Sequence, residues 1–160
     1  MAHIRRAAAA DGPALARLRW DFRAEEGETP RDDFREFLSR YLEHYWHGLD
    51  TGTWAHWLVE EDGAILTHMA VQMHEGVPRP AAAHDRWGWL TDCYTIPGQR
   101  DKGHGTRLLG AIREWAAGEG FELLLVSPSD RSVPFYSRAG FGPAGAWLQQ
   151  SLAPHQNATE

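Results

Sequence analysis

The sequence predicts an α/β protein in which helices flank a central sheet, and three patterns support this class. Apolar residues recur at three- and four-residue spacing over residues 31–46, which indicates an amphipathic helix. Two strand-like stretches flank Glu61-Asp62-Gly63, a sequence that is typical of a tight hairpin turn. The nearly all-apolar run Phe121–Val126 is typical of a buried central strand. The predicted element order is β-α-α-β-β-β-α-β-α-β.

The first elements are a short strand over residues 3–7 and a helix that opens at Asp11-Gly12-Pro13 and ends near Gly27. Aspartate is a good helix cap and proline is tolerated in the first turn, so this start is well marked. Gly48 and Gly52 are expected to stop the second helix. The later predicted elements are strands over 53–60, 64–74 and 87–96, a helix ending near 118, a strand over 121–126, a helix over 131–138 and a strand over 140–148.

Length and composition indicate one soluble domain over residues 1–153, followed by a polar tail over 154–160. A net charge of −6 argues against nucleic acid as a partner, because nucleic-acid binding needs a basic face. A single cysteine excludes an internal disulfide and fits a reducing compartment. The sequence shows neither a signal peptide nor a stretch that could span a bilayer, so we expect a cytoplasmic protein without membrane contact.

The segment that directs the functional analysis is Arg100-Asp101-Lys102-Gly103-His104-Gly105-Thr106. It lies between a predicted strand and a helix whose apolar stripe begins at Leu108. Glycines at such a junction let backbone N–H groups approach an anion closely, and the helix N-terminus adds unpaired donors. The segment is therefore predicted to bind phosphate.

The spacing of this segment excludes two common phosphate-binding patterns. A P-loop requires Lys and then Ser or Thr after its second glycine, whereas His104 and Gly105 follow Gly103. The dinucleotide pattern Gly-x-Gly-x-x-Gly fails because Leu108 occupies the position of the last glycine. The pattern that remains is Arg-x-x-Gly-x-Gly.

This pattern resembles the acyl-CoA pyrophosphate loop of the GNAT superfamily of N-acetyltransferases. Further stretches resemble the same family: Ile4-Arg5-Arg6-Ala7 before Asp11, the strand from Leu90 to Pro97, and the helix start from Gly103 to Leu109. The strongest of them is Val133-Pro-Phe-Tyr-Ser-Arg-Ala-Gly-Phe141, which is similar to the family's Phe-Tyr-x-x-x-Gly-Phe segment. The resemblance covers nearly the whole chain and implies a mixed, mostly antiparallel sheet.

The resemblance also implies that acetyl-CoA is the co-substrate and suggests which residues hold it. Tyr136 matches the tyrosine that protonates the departing thiolate in many members. Ser129 stands where many members have Asn, and Asp101 replaces a common glycine. The implied cofactor-binding residues are Cys93, Tyr94 and Thr95 beside the pantetheine arm, Arg100, Asp101, Lys102, Gly103, His104, Gly105 and Thr106 around the pyrophosphate, and Ser129 and Phe135.

The implied reaction is direct attack of an amine on the thioester, which requires a group that removes a proton from the amine. Asp92 is the best candidate base, because the family often places an acid in this part of its fourth strand. A structural role for Asp92 at a sheet edge or splay is the alternative. His68 and His74 are secondary candidates. No metal is expected, because no third ligand accompanies His44 and His47.

The acceptor remains open at the level of sequence. A primary amine of a small molecule is the leading hypothesis, a protein N-terminus or lysine is the alternative, and a non-catalytic acyl-CoA-binding module is an alternative of another class. The acidic residues between Glu25 and Glu36 would attract a cationic amine, or would simply form a solvated loop and helix start. The oligomeric state is also open, with a homodimer as one alternative.

Overall fold

A computed structural model describes residues 1–81, 85–145 and 147. In these residues the chain forms five strands and four α-helices around one sheet. The strands are β1 (His3–Arg6), β2 (Trp54–Glu61), β3 (Ala64–Glu75), β4 (Arg86–Thr95) and β5 (Phe121–Val126). The helices are α1 (Gly12–Glu25), α2 (Phe34–Thr51), α3 (His104–Gly118) and α4 (Val133–Arg138). None of these helices is long and apolar enough to cross a membrane.

The five strands lie in the order β1-β2-β3-β4-β5, and only the β4–β5 pair is parallel. The predicted hairpin between β2 and β3 is confirmed. Its turn residues Asp62 and Gly63 have φ values of 51° and 80°, which is the left-handed conformation that a tight two-residue hairpin needs. The sheet is therefore mixed and mostly antiparallel, as the resemblance implied.

Two apolar clusters cover the two faces of the sheet. Leu108, Leu109 and Ile112 of α3 pack with Val59 and other buried side chains on one face. Leu15 of α1 and Tyr45 of α2 pack with Leu58 on the other face. Because Val59 and Leu58 are consecutive in β2, they point to opposite sides of the sheet. The helices α1 and α2 thus share one face, and α3 covers the other.

The structure corrects the predicted bounds of α2. The helix begins at Phe34, because the carboxylate of Asp33 accepts a hydrogen bond from the backbone N–H of Glu36 at 2.9 Å. It continues through Gly48 and ends at Gly52, whose φ is 66°. Gly48 has a packing role, since a Cβ atom there would lie 2.6 Å from the ring of Trp54.

The end of the described chain differs from the prediction. β5 was predicted to be a buried central strand, but it is the edge strand of the described sheet, and Leu123 is 41% exposed. The physical reason is that no described segment pairs with its outer edge. Residues 141–145, which were predicted to be strand, are irregular, and residues 146 and 148 and the predicted tail lie outside the described residues.

A β-bulge in β4 is the feature that shapes the site. His68 of β3 is paired with Tyr94, and Ala70 with Thr91, so two residues of β4 oppose Met69. One of the two, Asp92, has a φ of 57°. Because of the bulge, Asp92 faces α1 and Cys93 packs in the cluster under α3. The pairing of β4 with β5 ends at Leu90 and Val126, so beyond this point the two strands separate.

Candidate active site

A cleft of about 560 Å³ lies where β4, the loop after it, the start of α3 and α4 meet. Ten predicted cofactor-binding residues line this cleft: Cys93, Tyr94, Thr95, Arg100, Asp101, Gly103, His104, Gly105, Thr106 and Phe135. Lys102 and Ser129 do not line it. Lys102 is exposed and donates to Gln99, and the Ser129 hydroxyl donates to Ser132. Tyr136 lines the same cleft.

The loop at the start of α3 has the backbone geometry of an anion site. Asp101 and Gly103 both have positive φ values, of 61° and 79°. Aspartate tolerates this conformation better than most residues, which accounts for its presence where a glycine is common. The N–H of Arg107 donates to the Gly103 carbonyl at 3.0 Å. The amides of the three residues between them therefore precede this helical bond and stay available to a ligand.

The side chain of Arg100 is held by the protein beside this loop. Its Nε donates to the carbonyl oxygen of Thr95 at 2.9 Å, and its Nη2 donates to Glu25 at 2.6 Å. Glu25 also accepts a hydrogen bond from the Tyr94 hydroxyl at 2.5 Å. The bonds from Tyr94 and then Arg100 lower the pKa of Glu25. Thus α1 is tied to the predicted phosphate loop through one carboxylate, a partner that the sequence analysis did not identify.

Tyr136 lies at the far end of the cleft, where β4 and β5 separate. The residue is 5% exposed and packs against Phe135 and Phe141 at ring-centroid distances of 5.0 and 5.5 Å. Burial, and next the neighbouring Cys93 thiol, raise the pKa of the Tyr136 phenol well above its ordinary value. The hydroxyl is therefore protonated at neutral pH and available as a donor.

Cys93 does not have the properties of a nucleophile. Withdrawal of its sulfur from water raises the pKa of the thiol to about 12, although the residue as a whole is only partly buried. A thiol with such a pKa carries almost no thiolate at neutral pH, and the thiolate is the reactive form. Cys93 is therefore a small packing residue in this structure.

A second cleft, of about 280 Å³, opens on the α1 side of β4, and we call it the acceptor cleft. It shares Tyr136, Cys93, Arg131 and Ser132 with the first cleft, so the two meet at the separation of β4 and β5. Its other polar and charged lining residues are Arg19, Arg23, Glu26, Thr91, Asp92, Ser127 and Ser129. The two clefts together bring a phenol and a carboxylate to one junction.

Asp92 enters the acceptor cleft with a defined set of partners. One carboxylate oxygen accepts a hydrogen bond from Arg19 Nη1 at 2.9 Å. The other lies 3.7 Å from His68 Nδ1, which is a close electrostatic contact but longer than a hydrogen bond. His68 in turn shares a proton with His56, with 3.0 Å between Nε2 of His68 and Nδ1 of His56.

Comparison with known proteins identifies the family. The family model of the acetyltransferase (GNAT) family matches residues 14–141. The chain belongs to the GNAT family. It is therefore an acetyltransferase enzyme, and its family uses acetyl-CoA. A comparison with curated proteins returns no match.

Solved GNAT structures share the fold of this chain. A predicted acetyltransferase from Clostridium acetobutylicum, solved with acetyl-CoA, is 24% identical with a TM-score of 0.82, and the match covers 95% of this chain and 97% of that one. A GCN5-related N-acetyltransferase from Ralstonia eutropha is 21% identical with a TM-score of 0.78, at coverages of 96% and 100%. Glucosamine-6-phosphate N-acetyltransferase from Arabidopsis thaliana is 15% identical with a TM-score of 0.68, at coverages of 96% and 99%.

The other candidate bases of this GNAT domain, His68 and His74, do not line the acceptor cleft. Burial lowers the pKa of both His56 and His68 to about 3, so both imidazoles are neutral. His74 stacks on Trp87 with ring centroids 4.0 Å apart. Of the proposed bases, only Asp92 lines a cleft with Tyr136. In the part of the chain that the structure describes, no group of three or more His, Cys, Asp or Glu is placed to hold a metal ion.

The acidic residues between α1 and α2 are mostly engaged by arginines. Glu26 pairs with Arg131 at 2.8 Å and Glu28 with Arg23 at 2.5 Å. Asp32 pairs with Arg40, while Glu25 and Asp33 have the partners described above. Most of these charges are therefore paired with arginines within the protein, which disfavours the hypothesis that this cluster attracts a cationic substrate.

Proposed function

We propose that this enzyme transfers the acetyl group of acetyl-CoA to a primary amine of a small molecule by direct attack. The observation that carries the proposal is the junction of the two clefts. There the phenol of Tyr136 lies on the donor side, and the carboxylate of Asp92 lies on the acceptor side. A reaction between an amine and a thioester needs a proton donor and a proton acceptor on these two sides.

On the donor side, the chain's own groups fit an acyl-CoA. The amides at the start of α3 and the positive end of its dipole suit a pyrophosphate, and a Cβ at Gly103 would meet no atom within 4 Å, so the backbone is open to a ligand. Beyond Leu90, the edge of β4 that faces β5 has no described strand beside it, which leaves backbone groups of residues 93–95 on that edge for a pantetheine arm. Acetyl-CoA supplies the thioester that is cleaved.

At the junction, the amine nitrogen forms a bond to the carbonyl carbon, and the carbon–sulfur bond breaks. The departing sulfur takes up negative charge, and the Tyr136 hydroxyl donates its proton to it. Burial raises the pKa of this phenol, so it acts first as a hydrogen-bond donor to the sulfur and transfers its proton only as the full negative charge forms there. Asp92 accepts the proton that the attacking nitrogen loses, and Arg19 holds the carboxylate at a fixed position.

The size and position of the acceptor cleft favour a small molecule over a protein acceptor. The cleft has a volume of about 280 Å³ and lies between α1, β4 and the segment that leads into α4. A folded protein surface could present only a thin extended segment to such a space. We also propose a cytoplasmic location, which the single cysteine supports because disulfides are rare in that compartment.

The test is thiol release from acetyl-CoA against a panel of primary amines. We expect Tyr136→Phe to lower kcat at least tenfold while the dissociation constant of acetyl-CoA stays within about twofold. Asp92→Asn should lower kcat/KM at least tenfold for amines that are protonated at the assay pH. Asp50→Asn, at an exposed position of α2, is the matched control and should behave as wild type.

Two results would contradict the proposal. Wild-type kcat retained in Tyr136→Phe would remove the phenol from the mechanism. Acetylation of peptides with no turnover of any small amine would replace the small-molecule acceptor by a protein acceptor.

A further inference from the structure

The acceptor cleft is lined by more arginines than carboxylates, although the chain as a whole has a net charge of −6. Three arginines, Arg19, Arg23 and Arg131, line it beside two carboxylates, Asp92 and Glu26, and the third counter-charge, Glu28, pairs with Arg23 from outside the lining. A local excess of arginine in an acidic protein requires a reason beyond solubility. A cleft that received only a cationic amine would favour the opposite balance.

Each of the three guanidinium groups keeps donors available. In the part of the chain that the structure describes, Arg19 donates through Nη1 to Asp92, and Arg23 and Arg131 each donate through Nη2 to one glutamate. A guanidinium has five N–H donors in a planar fork that matches the geometry of carboxylate and phosphate. Most of these donors are therefore unused by the protein.

The arginines differ in how firmly they are held. Arg19 pairs with an Asp92 side chain that is only 10% exposed. Arg23 and Arg131 pair with more exposed glutamates, and Arg131 itself is 67% exposed. Exposed ion pairs contribute little to stability, so an anionic ligand can replace the glutamates at small cost. Arg23 and Arg131 thus form an exchangeable anion site at the mouth, and Asp92 lies deeper with Arg19.

From this arrangement we propose that the acceptor is an amine that also carries a carboxylate or a phosphate group. This inference rests on the proposed function of the same site. The anionic group binds Arg23 and Arg131, and the amine is directed toward Asp92 and the Tyr136 junction. An amine without the anion lacks the contacts that would orient it for attack.

The test compares matched pairs of amines in the acetyl-CoA assay. Glycine is compared with glycinamide and ethylamine for the carboxylate arm, and O-phosphoethanolamine with ethanolamine for the phosphate arm. We expect kcat/KM to be at least tenfold higher for the anionic member of at least one pair. The arm that shows the difference identifies the anionic group.

Variants connect this preference to the arginines. Arg23→Gln should raise the KM for the preferred anionic amine about tenfold with little change in kcat, and leave the constants for ethylamine unchanged. Glu28→Gln removes the carboxylate that competes for Arg23 and should keep or lower that KM. Arg35→Gln, at an exposed position of α2, is the control and should leave all constants unchanged.

The outcomes separate this inference from the proposed function. Turnover of ethylamine or glycinamide as efficient as that of their anionic partners overturns the inference and leaves the proposed function intact. If no amine is turned over, calorimetry with CoA present measures whether the anionic amines bind and so tests the anion site by itself. Binding of glycine or phosphoethanolamine that Arg23→Gln weakens supports the anion site while refuting the proposed function, and absence of that binding overturns the inference.

Discussion

The buried pair His56–His68 predicts that the protein loses stability in mild acid. The two residues are only 4% and 1% exposed, and their rings lie edge to edge, with centroids 5.2 Å apart and 5° between the planes. The Nε2 of His56 has no hydrogen-bond partner among the described residues. Burial lowers the pKa of both imidazoles from about 6.5 to about 3, so the folded protein holds both rings neutral.

The sign of the effect follows from proton binding. Below pH 6.5 the unfolded chain protonates both histidines and the folded protein does not, so acid favours the unfolded state. The stabilisation is fully present above pH 6.5 and is lost as the pH falls toward 3. Between pH 7.5 and pH 5.5 each histidine should lower the free energy of unfolding by about 1.4 kcal/mol, and the pair by about 3 kcal/mol.

Urea unfolding at pH 7.5 and pH 5.5 measures this difference. The window avoids the carboxylates Asp11 and Glu25, whose pKa values are lowered and whose unfolded forms titrate below about pH 5. The double variant His56→Gln with His68→Gln should abolish the loss, and His47→Gln, at an exposed position, should keep it. A wild-type change below about 0.5 kcal/mol would refute the reasoning, and this comparison needs no variant to fold.

Three further predictions concern single glycines and the cysteine. Gly88→Ala places a Cβ 2.7 Å from two apolar side chains and should lower the free energy of unfolding by about 1–3 kcal/mol in urea titrations, whereas Gly118→Ala, in open space, should not. Gly103→Glu should abolish acetyl-CoA binding in calorimetry, because a negatively charged side chain at a φ of 79° would meet the pyrophosphate. The control Gly110→Glu should bind acetyl-CoA as the wild type does, and unchanged affinity in Gly103→Glu would contradict the loop assignment. Cys93 should react with a disulfide reagent at pH 8 at least about 100-fold more slowly in the folded protein than in urea, because its pKa is raised to about 12, and equal rates would contradict its burial.

The features that the sequence predicted well depend on local patterns. The hairpin turn at Asp62-Gly63, the bounds of the strand Phe121–Val126 and the start of α3 each follow from residues that are neighbours in the chain. The start of α2 was also available locally, since Asp33 and Glu36 stand at capping distance, but the prediction began the helix at residue 31. The end of α2 could not be predicted locally. Gly48 lies inside the helix and is needed for close packing against the ring of Trp54, which belongs to β2.

The partners of the site residues could not be read from the sequence, because they are distant along the chain. Arg19 and Asp92 are 73 positions apart, and Glu25 and Arg100 are 75 apart. The acidic stretch near α1 carried a charge pattern but no information about which arginines would meet it. The surplus of arginine in the acceptor cleft became visible only once α1, β4 and the segment before α4 were brought together.

The bulge in β4 explains how one strand serves both clefts. In a regular strand Asp92 would share the side of Leu90, under α3, and Cys93 would face α1. The extra residue reverses this, so the carboxylate reaches the acceptor cleft and the small thiol side chain lies beside Tyr136. The reversal depends on a left-handed residue at position 92, a conformation that Asp and Asn adopt more readily than other non-glycine residues. Asp92→Asn therefore removes the charge without straining the bulge, whereas Asp92→Ala would change both. A loss of activity in the asparagine variant can thus be assigned to the charge of the carboxylate, including its ion pair with Arg19, and not to a distorted bulge.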